Sequence, residues 1–437
     1  MDKQTPVSIF WFRRDLRLDD NAGLYYALKS GDPVLPVFIF DPAILDQLKD
    51  KDDARVTFIH ETVTAIDAEL REQGSGLLVL FDKPENAWKK LVEEYKIAAV
   101  YTNHDYEPYA KVRDEAIAAQ LEKHGIAFNT YKDQVIFERD EVIKDDGKPY
   151  TVYTPYMRKW YQKLTPFYLK AYPNKKYLKN FYQTKALYLP SLKQMGFEIS
   201  GLEFPKIHYK ELIAHYAEKR DFPAIKGTTH IGLHLRFGTV SIRELAAAVN
   251  SFTEKTWLNE LVWREFYMMI LYHFPHTADH AFRPEYDRIK WENNEKQFEA
   301  WCKGETGYPL VDAGMRELNT TGYMHNRVRM VVASFLSKHL LIDWRWGERY
   351  FARKLLDYEM ASNVGGWQWS AGSGTDAAPY FRIFNPESQL KKFDAKLEYV
   401  KKWVPEYADF SKYPKPIIDH AFARDRCLAA FKEALAK

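Results

Sequence analysis

Cysteine is almost missing from this 437-residue chain: Cys302 and Cys427 are its only two. Two isolated thiols exclude a metal cage built from cysteine. Long apolar runs are missing as well. The opening MDKQTPVSIFWFRRDLRLDD has about six apolar residues before its arginines, too few for a signal peptide, and no later stretch reaches the ~18 that a membrane span needs. Charge of one sign is not in excess: 63 basic against 60 acidic residues give a net charge of +3, so totals do not mark a nucleic-acid binder. The glycine fingerprint of dinucleotide folds is absent too, because Gly74-Ser75-Gly76 precedes a strand instead of following one. What remains is a globular, cytoplasmic protein without a metal centre, long enough to need at least two cores.

Aromatic residues are plentiful. The chain has 12 Trp, 29 Tyr and 27 Phe, and nine of the tryptophans lie at or beyond Trp257. A buried indole needs a partner for its N–H, so such crowding points to a stacking role in the second half.

The hydrophobic pattern divides the chain. Short apolar runs at 8–13, 34–40, 77–81 and 97–103 alternate with helical stretches at 53–73 and 85–95. Strands apolar on both faces imply a parallel sheet covered by helices, so residues 1–130 read as an α/β domain. Residues 131–205, broken by proline, lysine and tyrosine, read as a connector, and 206–437 as an all-helical domain. In HNRVRMVVASFLSKHLL, residues 325–341, Val328, Val332, Phe335 and His339 form one stripe. Asn326, Met330, Ala333 and Ser337 form a second, small and polar, which is expected to face something other than protein.

Several segments carry groups suited to a ligand. Thr228-Thr229-His230-Ile231-Gly232 offers hydroxyls and backbone N–H groups for phosphate oxygens, although alone it reads as an ordinary helix cap. In WLNELVWREFY, residues 257–267, helical spacing places Glu260 beside Trp263: a carboxylate and an aromatic plate, as a flat heterocycle with N–H groups requires. An amphipathic helix with a buried Trp and a solvated Glu has the same pattern. Asn326, Arg327 and Arg329 precede Met330; an arginine there can pair with Asp357, a pair that is often only structural, and Asn363 offers an amide shortly after it. In GGWQWSAGSGTD, residues 365–376, Trp367 and Trp369 stand two apart and must face different neighbours on a helix.

Taken together, WFRRDLRLDDN, RDFPAIKGTTHIGLHLRFG, WLNELVWREFY, the long run from GYPLVDAG to WGERYF, and NVGGWQWSAGSGTDAAPYFRIFNP resemble class I cyclobutane pyrimidine dimer photolyases of the photolyase/cryptochrome family, over essentially the whole chain. The resemblance implies an N-terminal α/β antenna domain and a helical domain that binds FAD, active as FADH⁻. It implies light-driven electron transfer to a pyrimidine dimer in DNA by a monomer with no membrane association. FAD would be held by Tyr216, Thr228, Thr229, His230, Ile231, Gly232, Asn326, Arg329, Asp357, Tyr358, Glu359 and Asn363, the last facing the flavin N5. The lesion would meet Trp257, Glu260, Trp263, Asn326, Arg327, Met330 and Trp369. Trp367, Trp344 and Trp291 would carry electrons to oxidised flavin. A second, antenna chromophore is implied, methenyltetrahydrofolate or a deazaflavin; Tyr109 and Ala110 stand where folate-binding members often have an Asn-Glu pair. A light sensor of cryptochrome type, binding the same FAD without repairing DNA, is the competing expectation.

Overall fold

The computed structural model describes residues 5–185, 187–409 and 411–436. It divides into two compact units. One holds the chain up to Glu138 with Leu164–Ile207 and Ile231–Ser251; the other holds Arg139–Lys163, His208–His230 and the chain from Phe252 on. Residues 131–205, expected as a separate connector, thus contribute to both.

The first unit is built on a five-stranded parallel sheet in the order β3-β2-β1-β4-β5. β1 (Val7–Phe12) and β2 (Val34–Phe40) are buried at every position, as central strands covered on both faces must be. β3 (Leu78–Phe81) and β4 (Ile97–Asn103) follow. The edge strand β5 (Ala127–Tyr131) lacks a continuous apolar run, and the hydrophobic pattern does not reveal it. Asp53 caps the helix Ala54–Glu72 by accepting from the Arg55 backbone N–H, and prolines open the helices Pro84–Glu94 and Pro108–Glu122, where their missing N–H has no cost. Trp11 and Trp88 meet edge to face at 5.5 Å in a core with Ile9, Val37, Leu91 and Ile117.

The second unit is helical. Its main core includes Trp301, Tyr308, Val328, Val332, Phe335, Trp344, Phe351, Val364 and Trp367. The helix Asn326–Ser334 continues as one π turn, Phe335–His339. That extra residue changes the phase of the 325–341 stripes. The first stripe is buried as expected. Of the second, Asn326 and Met330 keep contact with solvent, whereas Ala333 and Ser337 are covered by protein, and the Ser337 hydroxyl donates to the Ala333 carbonyl at 2.8 Å. The expectation that the whole second stripe faces a ligand is corrected accordingly.

Among the described residues, no helix is long and apolar enough to cross a membrane, and no group of three or more His, Cys, Asp or Glu could hold a metal ion.

Candidate flavin and lesion site

In the second unit the helix Met360–Ala371 packs against two others, Thr256–His273 and Asn326–Ser334. The helix Thr256–His273 carries Glu260 and Trp263, the helix Asn326–Ser334 carries Arg327, Arg329 and Met330, and the helix Met360–Ala371 carries Asn363. Glycine lets two of them close on each other. A methyl group on Gly365 would fall inside the ring of Tyr267, so only glycine admits this packing. Gly366, next to it, faces open space, with nothing within 4 Å of an added Cβ, and it lies three residues from Asn363 on the same helix face.

Burial acts on two titratable groups here although both keep contact with solvent. The Glu260 side chain is 35% exposed, yet burial pushes its pKa up in spite of the Arg220 guanidinium that pairs with it. His230 is exposed and is still pushed down by burial.

Arg329 presents Nη2 to both carboxylate oxygens of Asp357, at 3.1 and 2.9 Å, and Nε to the Met324 carbonyl at 2.6 Å. Its Nη1 has no protein partner among the described residues. Beneath it lies Tyr323, 5.4 Å from the guanidinium carbon, and the Tyr323 ring stacks on His230 at 3.8 Å and 20°. His230 takes a left-handed backbone, φ +51°, which costs a non-glycine residue energy and turns its ring onto that stack. The Thr228 and Tyr323 hydroxyls lie 3.2 Å apart. Thr229 is buried beside them, whereas Ile231 and the helix Gly232–Phe237 belong to the first unit.

Asn363 is oriented by Glu348: its Nδ2 donates to the Glu348 carbonyl at 3.1 Å and to Oε1 at 2.9 Å. Both amide hydrogens are thereby used, and Oδ1 is left as the acceptor. Burial raises the Glu348 pKa, opposed by these hydrogen bonds and by Arg349. Tyr358 directs its hydroxyl at the same carboxyl, 3.5 Å away. Glu359 is buried and pairs with Arg264 at 3.0 Å, a bond internal to the protein. Tyr216 stands 5.7 Å from the Arg220 guanidinium, its phenol pushed up by burial.

The lesion candidates separate. Trp263 is half-buried and stacked on Tyr153 at 3.5 Å and 7°, held flat by a ring from the helix Tyr153–Lys163. Glu260 lies on the same face. Arg327 pairs with Asp221 at 2.8 Å and has its guanidinium 4.4 Å from Phe393; Met330 Sδ is 3.7 Å from Arg327 Nη1. Asn326 is exposed and Trp369 half-buried. Trp257 is not brought to the opening: it is 4% exposed and covered by Tyr209. Trp344 and Trp367 are buried in one core, with Trp291 packed against it. The rings against Trp367 are Phe351 at 5.0 Å and Trp301 at 6.0 Å. Sequence reasoning missed Trp301, Tyr153, Tyr323, Glu348, Arg220 and Asp221. Tyr323 and Glu348 stood in the long run from GYPLVDAG to WGERYF, and Arg220 and Asp221 in RDFPAIKG, but no spacing marked them within those stretches.

A free guanidinium nitrogen, a free amide oxygen, a planar ring stack and the space over Gly366 suit a flat heterocycle with polar edges attached to phosphates, and the residues present fit FAD. An α/β unit together with a helical unit holding such groups points to a flavin-nucleotide protein. Comparison with known proteins narrows this. The model for the FAD-binding domain of DNA photolyase matches residues 257–412, and the DNA photolyase model matches 8–176. The deoxyribodipyrimidine photo-lyase of Synechococcus sp. is 38% identical over 97% of this chain and 96% of its own length. A class III photolyase from Agrobacterium tumefaciens superposes with a TM-score of 0.89 at 33% identity, covering 100% of this chain and 99% of that one. An archaeal photolyase from Sulfolobus tokodaii, solved with two FAD molecules, gives 0.83 at 36% identity over 98% and 100%. The chain belongs to the DNA photolyase family, as a DNA-repair lyase with an N-terminal parallel α/β domain and a largely helical FAD-binding domain. The class I expectation is corrected by the full-length match to a class III structure.

Proposed function

We propose that this chain repairs cyclobutane pyrimidine dimers in DNA under blue or near-ultraviolet light. Reduced FAD, when bound, supplies the chemistry: one electron lent to the dimer and returned after its two cyclobutane bonds have opened. Deoxyribodipyrimidine photo-lyases among the relatives support the substrate class. The observation that carries the reading is the packing of Tyr267 into the gap at Gly365. It sets the face bearing Glu260 and Trp263 against the helix bearing Asn363.

The side chains bind, orient and exclude water. Trp263, backed by Tyr153, offers a rigid plate to a pyrimidine turned out of the duplex. Base flipping of this kind, general among photolyases, costs a few kcal/mol and less where a lesion already weakens pairing. Glu260 accepts from a pyrimidine N–H once Arg220 releases it; with its raised pKa it also takes a proton readily and then donates to a carbonyl. Arg329, fixed by Asp357, keeps Nη1 for the cofactor, and Asn363 keeps Oδ1. An antenna chromophore in the α/β domain belongs to the same reading. The two FAD molecules of the Sulfolobus tokodaii relative support a flavin there, beside methenyltetrahydrofolate or a deazaflavin.

The test is repair by the purified, flavin-loaded and reduced protein. Blue light should restore intact thymines in an oligonucleotide carrying one thymine dimer. Flavin binding without repair would overturn the proposal in favour of a light sensor.

A further inference from the structure

The α/β unit carries an aromatic surface made of residues outside the proposed flavin and lesion site. From Leu164 through Phe197 the sequence has six lysines and no Asp or Glu. Its 3₁₀ turn, Asn174–Asn180, packs on the helix Ala22–Leu28, and six tyrosines gather at that junction and on the neighbouring strands β4 and β5. Tyr101, Tyr131 and Tyr26 form a column of parallel rings, 6.3 and 4.4 Å apart and each pair within 10° of coplanar. Tyr25 and Tyr172 stand against Tyr26 at 5.3 and 6.0 Å, and Tyr177 against Tyr25 at 5.7 Å. None of the six rings is fully buried, and Tyr26, at the end of the column, is 41% exposed. A core would have closed over such rings; here they remain at the surface.

Lysines stand on the same segments as these rings, and Asp20 and Asp133 act on Tyr172. Lys29 lies 5.1 Å from the Tyr25 ring and 6.0 Å from that of Tyr177. Lys170, Lys176 and Lys179 are exposed and make no ion pair among the described residues. Lys175 pairs with Asp19, and Asp32 acts on Tyr101 at the other end of the column.

We propose that this face binds single-stranded DNA, with bases continuing the ring column from Tyr26 and phosphates meeting Lys29, Lys176 and Lys179. Parallel rings with Lys29 against them and exposed lysines on the adjoining turn suit a polyanion whose flat groups are free. A duplex keeps its bases stacked inside and cannot use them, and an acidic peptide has no flat groups in series. The site is separate from the lesion cleft, which lies in the other unit, and does not depend on how that cleft acts.

The full-length protein is mixed in the dark with a fluorescein-labelled, undamaged 16-residue oligothymidylate, and anisotropy is followed against salt. Tyr26→Ala should weaken binding about fivefold or more, the size of one lost base stack, and Tyr26→Phe should restore it. Lys176→Ala with Lys179→Ala should lower the log–log salt slope by about 1.4, roughly 0.7 per phosphate contact on a single strand. Thermal unfolding checks that Tyr26→Ala folds; where it does not, the double lysine variant decides. Unchanged binding in these variants overturns the proposal. So does equal affinity for a 16-base-pair duplex, tighter binding of oligouridylate, or loss of binding in Trp263→Ala, which would place the oligonucleotide in the lesion cleft.

Discussion

Glu348 takes both amide hydrogens of Asn363, one on its backbone carbonyl and one on its carboxylate, so the Asn363 carbonyl oxygen is the group left over. An amide can otherwise flip and offer either end; here the buried carboxyl settles the choice. Replacing Asn363 by Asp puts two carboxyls where one hydrogen bond was, and both cannot ionise at that distance. Asn363→Asp should therefore lose thermal stability as pH rises from 5 to 8, more steeply than the parent, in melting curves. Equal slopes would show that the two groups do not meet in solution.

Gly365 and Gly366 should respond in opposite ways. Gly365→Ala forces Tyr267 aside, an overpacking that costs about 1–3 kcal/mol. Gly366→Ala has room and should stabilise the flavin-free protein by up to about 1 kcal/mol, as alanine does inside a helix. If the space above Gly366 is the cofactor's, the same variant should release FAD more readily on dilution. Calorimetry and flavin fluorescence read the two effects separately.

Trp263→Ala should weaken binding of dimer-containing DNA by about tenfold, in the range of a lost stacking contact, and leave undamaged duplex nearly unaffected. Gel-shift titrations with both duplexes check this. Equal losses on the two would reduce Trp263 to packing against Tyr153.

Trp344→Phe should slow photoreduction of oxidised flavin in flash spectroscopy and spare repair by enzyme reduced beforehand. The buried indole packs beside the Arg345 guanidinium in the core it shares with Trp367. Collapse of both activities would make it a structural residue.

Acid should destabilise the helical unit through His339. Burial holds its pKa down at about 3, with the neighbouring His420, Lys338 and Arg426 adding to the effect. Unfolded, it titrates near 6.5, so the unfolded chain binds more protons between these values and stability falls as pH drops from about 6.5 toward 3. One such group accounts for about 1.4 kcal/mol per pH unit within that window. His339→Asn should flatten this limb of the stability–pH curve; an unchanged slope would place the acid sensitivity elsewhere.

Much of the fold is legible in the sequence because burial on two faces leaves a plain signature. β1 and β2 are apolar at nearly every position, and the helix Ala54–Glu72 falls within one residue of its expected ends. β5 is not legible, because an edge strand has no such run. The site follows the same logic. Glu260 and Trp263 share a helix face by spacing alone, whereas the pairing of Arg329 with Asp357 comes with the family resemblance, because Arg327 carries the same charge two residues away. By contrast, the Tyr153 ring under Trp263, the Tyr323 ring under His230 and the carboxyl behind Asn363 come from distant segments that periodicity cannot join. Trp257 misled for a related reason: a tryptophan one turn from a cleft looks like a wall until a second aromatic, Tyr209, is seen to cover it.

The π turn at Phe335–His339 makes the effect of chain length depend on where a residue is lost. The turn takes up one residue more than an α turn, so excising one there lets it close as ordinary α-helix and leaves Leu340, now wholly enclosed, near its present place. Excising one from Asn326–Ser334 would instead turn every later side chain of the helix by about 100°. A one-codon deletion in the π turn should therefore be better tolerated than one in the α-helix before it.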